Sequence, residues 1–243
     1  MERAETMTLA IFDLDNTLLA GDSDYLWGQF LVERGLVDRE TYDRANKDFY
    51  ARYKAGTLDI HEFLRFSLKP LTEHPAEELH QLRAEFVDSH IRPIVTRAAL
   101  ALVEEHKRRS HRTLIITATN RFITAPIAEL FEVDALLATT PELKDGRYTG
   151  EVIDTPTFRE GKVEALNQWL DAQTKPVDRT WFYSDSLNDL PLLERVDRPV
   201  AVDPDDTLQE TARERGWPLL SLRGAAITDL LTGEPRAFPP VPD

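Results

Sequence analysis

The chain has no cysteine among its 243 residues. A disulfide framework and thiolate metal sites are therefore excluded, and the six histidines show no spacing of the zinc type. Any metal must be held by oxygen. Basic residues are outnumbered, 29 Lys and Arg against 43 Asp and Glu, for a formal charge of -14. Binding a nucleic-acid backbone requires a basic face that displaces counterions, so no nucleic-acid partner is expected. The excess of acid otherwise reads as a solvated surface. Long apolar runs are missing as well. MERAETMTLAIFDLD reaches only a few apolar residues before it meets acids, with no basic leader, signal core or spanning segment, so the expected location is the cytoplasm. There is no internal repeat, and nothing marks an obligate protein partner.

What is present is the balance of a globular protein, 42% hydrophobic and 30% charged. The length suits one main domain carrying a smaller insert. Apolar runs at Leu9 to Leu14, Thr113 to Thr117, Thr180 to Tyr183 and, shorter, Pro199 to Val202 read as buried strands. Helical patterns fall between them at Arg97 to Arg109, Ile123 to Phe131, Lys162 to Leu170 and from Leu190. Strands alternating with helices predict an α/β fold with a doubly wound parallel sheet. Residues 20–94 break the alternation and predict a helical insert after the first strand, leaving 1–19 and 95–230 as the core. Asp145-Gly146 between β-prone residues predicts a hairpin. The proline-rich end, 231–243, predicts a loose tail.

Ligands of an open parallel sheet gather at the carboxyl ends of its strands. Four polar groups fall there. Asp13-Leu14-Asp15-Asn16-Thr17 puts two carboxylates two residues apart, a costly pairing unless a cation neutralises it, and an all-oxygen site suits magnesium. Thr117, in ITATNRF, offers a hydroxyl and neighbouring amides for a phosphate oxygen, although a lone threonine there also reads as a helix cap. Lys162 follows Gly161 at a predicted helix start, where the helix dipole disfavours a cation; a bound dianion would explain it, as would simple exposure. Tyr183-Ser184-Asp185-Ser186-Leu187-Asn188-Asp189 puts two carboxylates four residues apart about a turn.

In this order the four groups resemble the signature of the haloacid dehalogenase superfamily, and the insert resembles its helical C1 cap. From about Leu9 to Leu222 the chain looks like the phosphoserine phosphatase type, subfamily IB. The resemblance implies a Rossmann-like core and magnesium-dependent hydrolysis of a small phosphomonoester. It implies Asp13 as nucleophile and Asp15 as general acid and base. Magnesium would sit on Asp13, the main-chain carbonyl of Asp15, and Asp185. Thr117 and Lys162 would hold phosphoryl oxygens, with Asp189 and Asn188 supporting the metal site.

Phosphoserine phosphatases also carry a glutamate soon after the first motif, a cap arginine for the substrate carboxylate, and a glycine pair after the second motif. Here Asp22 stands at the first position, Ser67 at the second with Arg65 two residues away, and Ala118-Thr119-Asn120 at the third. A substrate carboxylate loses its bidentate partner, whereas an amine can meet Asp22 or Asp24. This favours a cationic monoester without a carboxylate, and histidinol phosphate fits. Phosphoserine, a broad range of small monoesters, and a non-catalytic phosphoacceptor role remain alternatives. Tyr25, Trp27, Phe30, Phe49, Tyr50 and Tyr53 read as core rather than ligands.

Overall fold

The computed structural model describes residues 6–238. In chain order its strands are β1 Met7–Phe12, β2 Arg112–Thr117, β3 Ala135–Ala138, β4 Thr140–Lys144, β5 Arg147–Ile153, β6 Val177–Ser184, β7 Arg198–Val202, β8 Leu219–Ser221 and β9 Thr228–Asp229. Its helices are α1 Ser23–Glu33, α2 Arg39–Lys54, α3 Ile60–Ser67, α4 Lys69–Glu73, α5 Ala76–Phe86, α6 Arg97–Arg108, α7 Arg121–Phe131, α8 Glu160–Asp171, α9 Leu190–Leu193 and α10 Asp206–Arg215.

The strand runs do not alternate with polar residues because the sheet is covered on both faces. Ala10, Phe12, Ile115, Tyr183 and Val200 point to one side, where they meet α6, α7 and the cap. Leu9, Ile11, Leu114, Phe182 and Ala201 point to the other, against α8, α9 and α10. The seven-stranded sheet has the order β3-β2-β1-β6-β7-β8-β9. All its pairings are parallel except that of β9, a short antiparallel edge beside β8. Phe12 lies in register with Ile115 and Tyr183, so the ends of β1, β2 and β6 open at one rim of the sheet. The first strand stops at Phe12, two residues before the predicted end, because Asp13 and Leu14 already belong to the turn above it.

The chain leaves β1 through Leu19 and Ala20, builds α1 to α5, and returns through Ile94 and Val95. The two linkers run side by side: Leu19 bridges Val95, and the Ala20 N–H donates to Ile94 O at 2.9 Å. The helices between them form a C1-type cap. The predicted hairpin is present, with β4 and β5 forming a separate antiparallel pair about Asp145-Gly146. The end of the chain departs from expectation as far as Phe238. Arg236 pairs with Asp229 at 2.5 Å, and the Phe238 ring packs edge-on against Trp181 and Tyr183. One buried aromatic ring outweighs the proline-rich composition here; residues 239–243 lie outside the described chain. No helix among the described residues is long and apolar enough to cross a membrane.

Candidate active site

Asp13 is the first residue past β1, and its N–H makes one further rung to Tyr183 O at 2.9 Å. The chain then coils tightly over Leu14–Leu18, with Asp15 extended and Asn16 in the left-handed region at φ 57°. This turn carries the Thr17 hydroxyl back to 3.1 Å from Asp13 Oδ2 and 3.0 Å from Asp185 Oδ1. The same oxygen accepts the Asp185 N–H at 3.0 Å. A hydroxyl has one proton, so it can serve only one of the two carboxylates at a time. The other contact sets oxygen against oxygen.

Lys162 reaches the same place from the start of α8. A side chain on Gly161 would come within 2.0 Å of Pro156 O, so only glycine lets the helix begin this close to the preceding loop. Lys162 Nζ then donates to Asp13 Oδ1 at 2.6 Å and to Asp189 Oδ2 at 2.8 Å. Burial works against its charge, but Asp13 and Asp189 outweigh burial and raise its pKa above the ordinary lysine value. Asp189 also accepts the Ser184 hydroxyl at 2.6 Å, which fixes the carboxylate that fixes the lysine.

Asp15 faces the opposite side. It accepts the Ser23 N–H at 2.6 Å and the Thr119 hydroxyl at 2.8 Å, with the Thr117 hydroxyl at 3.4 Å. The loop after β2 therefore grips Asp15 through Thr119, while Asn120 caps α7 by accepting the Ile123 N–H at 3.2 Å. Asn188 looks towards the cap. Its amide donates to Tyr53 O at 3.0 Å, and its Oδ1 accepts from Arg159 Nε at 3.1 Å. Arg159 donates in turn to Gly56 O, so two core side chains hold the end of α2.

The carboxylates strain against one another. Burial pushes Asp13 up to about 7, with Lys162 opposing and Asp189 adding to the rise. Asp15 is raised by burial against the bonds from Ser23 and Thr119. Asp185 is driven well above its ordinary range by burial, then by Asp13 and Asp189. Burial, then Asp15, lifts Asp22 to about 7, and burial, then Asp22 and Asp15, lifts Asp24 well above the carboxylate range.

A cavity opens over this floor. Asp13, Asp15, Thr117, Ala118 and Thr119 form its base; Asp22 and Asp24 stand at one wall. Tyr25, Phe49, Tyr50, Tyr53 and Phe63 from the cap, and Phe158 from the core, make up an aromatic wall. No Lys, Arg or His of the described residues lines it. Arg65 is exposed on α3 and Ser67 is buried, and neither lines the cavity. Two positions along a helix lie on different faces: Ser67 shares the face of Ile60 and Phe63, which line the cavity, but lies a turn beyond them. Of the six aromatic residues read as core, Trp27 and Phe30 are core, Phe49 is buried in a small cluster with Leu58 and Phe158 and also lines the cavity, and Tyr25, Tyr50 and Tyr53 face the cavity. Phe63 and Phe158 gave no signal in the sequence. A helix that buries aromatics in a core and one that presents them to a ligand share one periodicity.

The donor set fits a hard divalent cation. Two carboxylates, Asp13 and Asp185, meet with a single hydroxyl proton between them, and burial, then neighbouring carboxylates, raises the pKa of both. Among the described residues no three acid, histidine or cysteine side chains converge as a cage. Two carboxylates with a main-chain carbonyl suit magnesium, which keeps several waters, better than a metal that needs an all-protein shell.

Residues 10–194 match the model of the haloacid dehalogenase-like hydrolase family. The chain is 45% identical to a histidinol-phosphatase of Neisseria meningitidis serogroup C over 88% of this chain and 99% of that one. It is also 45% identical to a crystal structure of a protein of unknown function from Bordetella pertussis Tohama I, at a TM-score of 0.83 over 88% and 98% of the two chains. A phosphoserine phosphatase solved as a phospho-aspartyl intermediate analogue shares the fold, with a TM-score of 0.64 at 20% identity over 90% and 94%. With the four motifs at one rim of the sheet and a helical cap above them, the chain belongs to the haloacid dehalogenase-like hydrolases, as a phosphatase of phosphoserine phosphatase-like fold.

Proposed function

We propose that the enzyme hydrolyses histidinol phosphate, with magnesium, through a phosphoryl group carried on Asp13. The observation that carries this reading is the cavity wall: aromatic rings, Asp22 and Asp24, and no cationic side chain among the described residues. An imidazole finds rings to stack on and carboxyls to bond, and an ammonium finds two carboxyls whose ionisation its charge favours. Phosphoserine would bring a carboxylate against Asp22 and Asp24 with no arginine to meet it. The relative from Neisseria, named as a histidinol-phosphatase, supports the same choice. On this reading the enzyme serves histidine biosynthesis in the cytoplasm.

An oxygen of Asp13 attacks phosphorus, the ester P–O bond breaks, and protonated Asp15 gives its proton to the leaving oxygen. The raised pKa of Asp15 keeps that proton available, and the bonds from Ser23 and Thr119 hold the carboxyl in place. Ionised Asp15 then takes a proton from the water that attacks the aspartyl phosphate, and Asp13 is released with inorganic phosphate. Lys162 offsets charge on the transferring group, and Thr117 lies at the floor to bond one of its oxygens. Asp13, Asp185 and the Asp15 carbonyl would hold magnesium, which when bound lowers the repulsion between carboxylate and phosphate.

The test is phosphate release with Mg²⁺ from histidinol phosphate, phosphoserine and a panel of sugar and nucleoside monophosphates, with Asp13→Asn as control. A strong preference for histidinol phosphate is expected. Preference for phosphoserine would refute the substrate assignment, and turnover by Asp13→Asn would refute the mechanism.

A further inference from the structure

Arg223 stands outside all four motifs, in the segment after β8, yet its guanidinium lies under the loop that carries Asp13 and Asp15. It donates through Nη1 to Leu19 O at 3.1 Å and to Thr17 O at 3.4 Å, and through Nη2 to Asn16 O. Its one charged partner among these contacts is Asp203, at 3.6 Å.

The carbonyls it meets belong to a turn of irregular backbone. Asp15 is extended and Asn16 left-handed, so the chain over Leu14–Leu18 is not a regular helix and cannot satisfy its main-chain groups as a helix does. A non-glycine residue at positive φ is held there only by its surroundings. The guanidinium is a rigid fork with donors spread in one plane, and it can meet several carbonyls together as an ammonium cannot. The arginine itself is well seated. Asp203 accepts the Leu222 N–H at 2.9 Å and the Ser221 hydroxyl at 2.6 Å, and the Thr96 hydroxyl donates to Leu222 O at 2.5 Å. Thr96 begins α6, directly after the linker that returns from the cap.

We infer that Arg223 is a positioning residue for the reaction: it locks the Asn16–Leu19 carbonyls, and through them sets the Asp13 and Asp15 carboxyls and the first linker of the cap. It touches no reacting atom. The inference rests on Asp13 and Asp15 being the reacting pair and is independent of which monoester is the substrate.

The experiment compares Arg223→Gln and Arg223→Lys with the unaltered enzyme and with Asp13→Asn. Hydrogen exchange is followed by mass spectrometry on the peptide covering 12–20, alongside kcat, KM and thermal midpoint with the best monoester of the panel. Expected for Arg223→Gln is exchange about tenfold faster in that peptide than in the enzyme, with peptides from α8 and α10 unchanged. Its kcat should fall at least about tenfold while KM stays within about twofold, since geometry rather than ground-state binding is lost. Arg223→Lys should recover less than half of either effect. Unchanged exchange at 12–20 would overturn the inference, whatever the activity. Loosening spread evenly over the chain, with a lowered midpoint in both variants, would also overturn it by showing a general structural role. Turnover by Asp13→Asn would strike the proposed mechanism instead, and the exchange result would still decide the fate of the Arg223 lock.

Discussion

Lys162 and Asp13 are 149 positions apart in the chain and 2.6 Å apart in space, and the same ammonium holds Asp189 on its other side. The cation is thus shared between a carboxylate proposed to react and one that serves as its anchor. Taking away a single member leaves the remaining charges buried without compensation.

For Lys162→Met the expected outcome follows directly. Stability falls by roughly 3–5 kcal/mol, the usual cost of breaking a buried pair by removing one partner. Phosphate release falls by at least about a hundredfold. Adding Asp189→Asn to this variant restores part of the stability and none of the activity. Thermal unfolding and a phosphate-release assay on both variants check the claim, and activity within tenfold of the unaltered enzyme would contradict it.

Magnesium should stabilise the folded chain, because Asp13 and Asp185 are buried together on one hydroxyl. Titrating Mg²⁺ into chelator-treated protein should raise the thermal midpoint, by about 2.7 kcal/mol of stability at a concentration one hundred times the Kd. Asp185→Asn should abolish most of that rise. An equal rise in Asp185→Asn would place the cation elsewhere.

Asp24 is raised well above its ordinary 3.8 by burial, Asp22 and Asp15, so the folded chain holds this proton more tightly than the unfolded one. Ionisation therefore costs stability progressively as pH rises above about 4. Asp24→Asn removes that cost and should be more stable at pH 7, with each kcal/mol gained worth about 2–4 °C in midpoint. The same change should raise KM for histidinol phosphate about tenfold or more if Asp24 binds the cationic end. A variant that is more stable and equally good in KM would remove Asp24 from substrate recognition.

His106 gives the pH dependence its other sign. It is buried between His111 Nδ1 at 2.8 Å and the Tyr183 hydroxyl at 2.7 Å, and its pKa is lowered to about 3 by burial, then by His111 and Arg109. The unfolded histidine takes a proton near 6.5, so this contribution is complete above 6.5 and is lost as pH falls towards 3. Between pH 7 and pH 5 the loss amounts to roughly 2 kcal/mol. The carboxylates of the site act in the opposite direction over this range, so the comparison to make is the enzyme against His106→Gln by thermal unfolding. The difference between the two should shrink at the lower pH; a constant difference would show that His106 is not held neutral.

The core of the fold was legible because strands buried on both faces leave unbroken apolar runs, as Leu9 to Phe12 and Thr180 to Tyr183 do. The motifs were legible because parallel strands in register must deliver Asp13, Thr117 and Asp185 to one rim. Short strands such as Leu219–Ser221 and Thr228–Asp229 are too brief to carry a period, and they exist only because neighbours supply the ladder. The cavity wall was illegible for another reason: Tyr53 and Phe49 differ from Trp27 only in what lies opposite them. Arg223 meets main-chain carbonyls, which every residue possesses, so nothing in the loop's composition announces its partner.

Leu19 and Val95 bridge where the cap departs and returns, so the whole of α1 to α5 hangs from two adjacent stems. An insertion joined at neighbouring points can be lengthened, reshaped or exchanged without re-threading the sheet beneath it. The aromatic wall then becomes an interchangeable part, and a lineage can acquire a new substrate by rewriting one excursion of the chain while its phosphate chemistry is inherited intact. What such an exchange must preserve includes main-chain groups: the Ser23 N–H that holds Asp15, and the carbonyls of Tyr53 and Gly56, which Asn188 and Arg159 hold without regard to the side chains beside them.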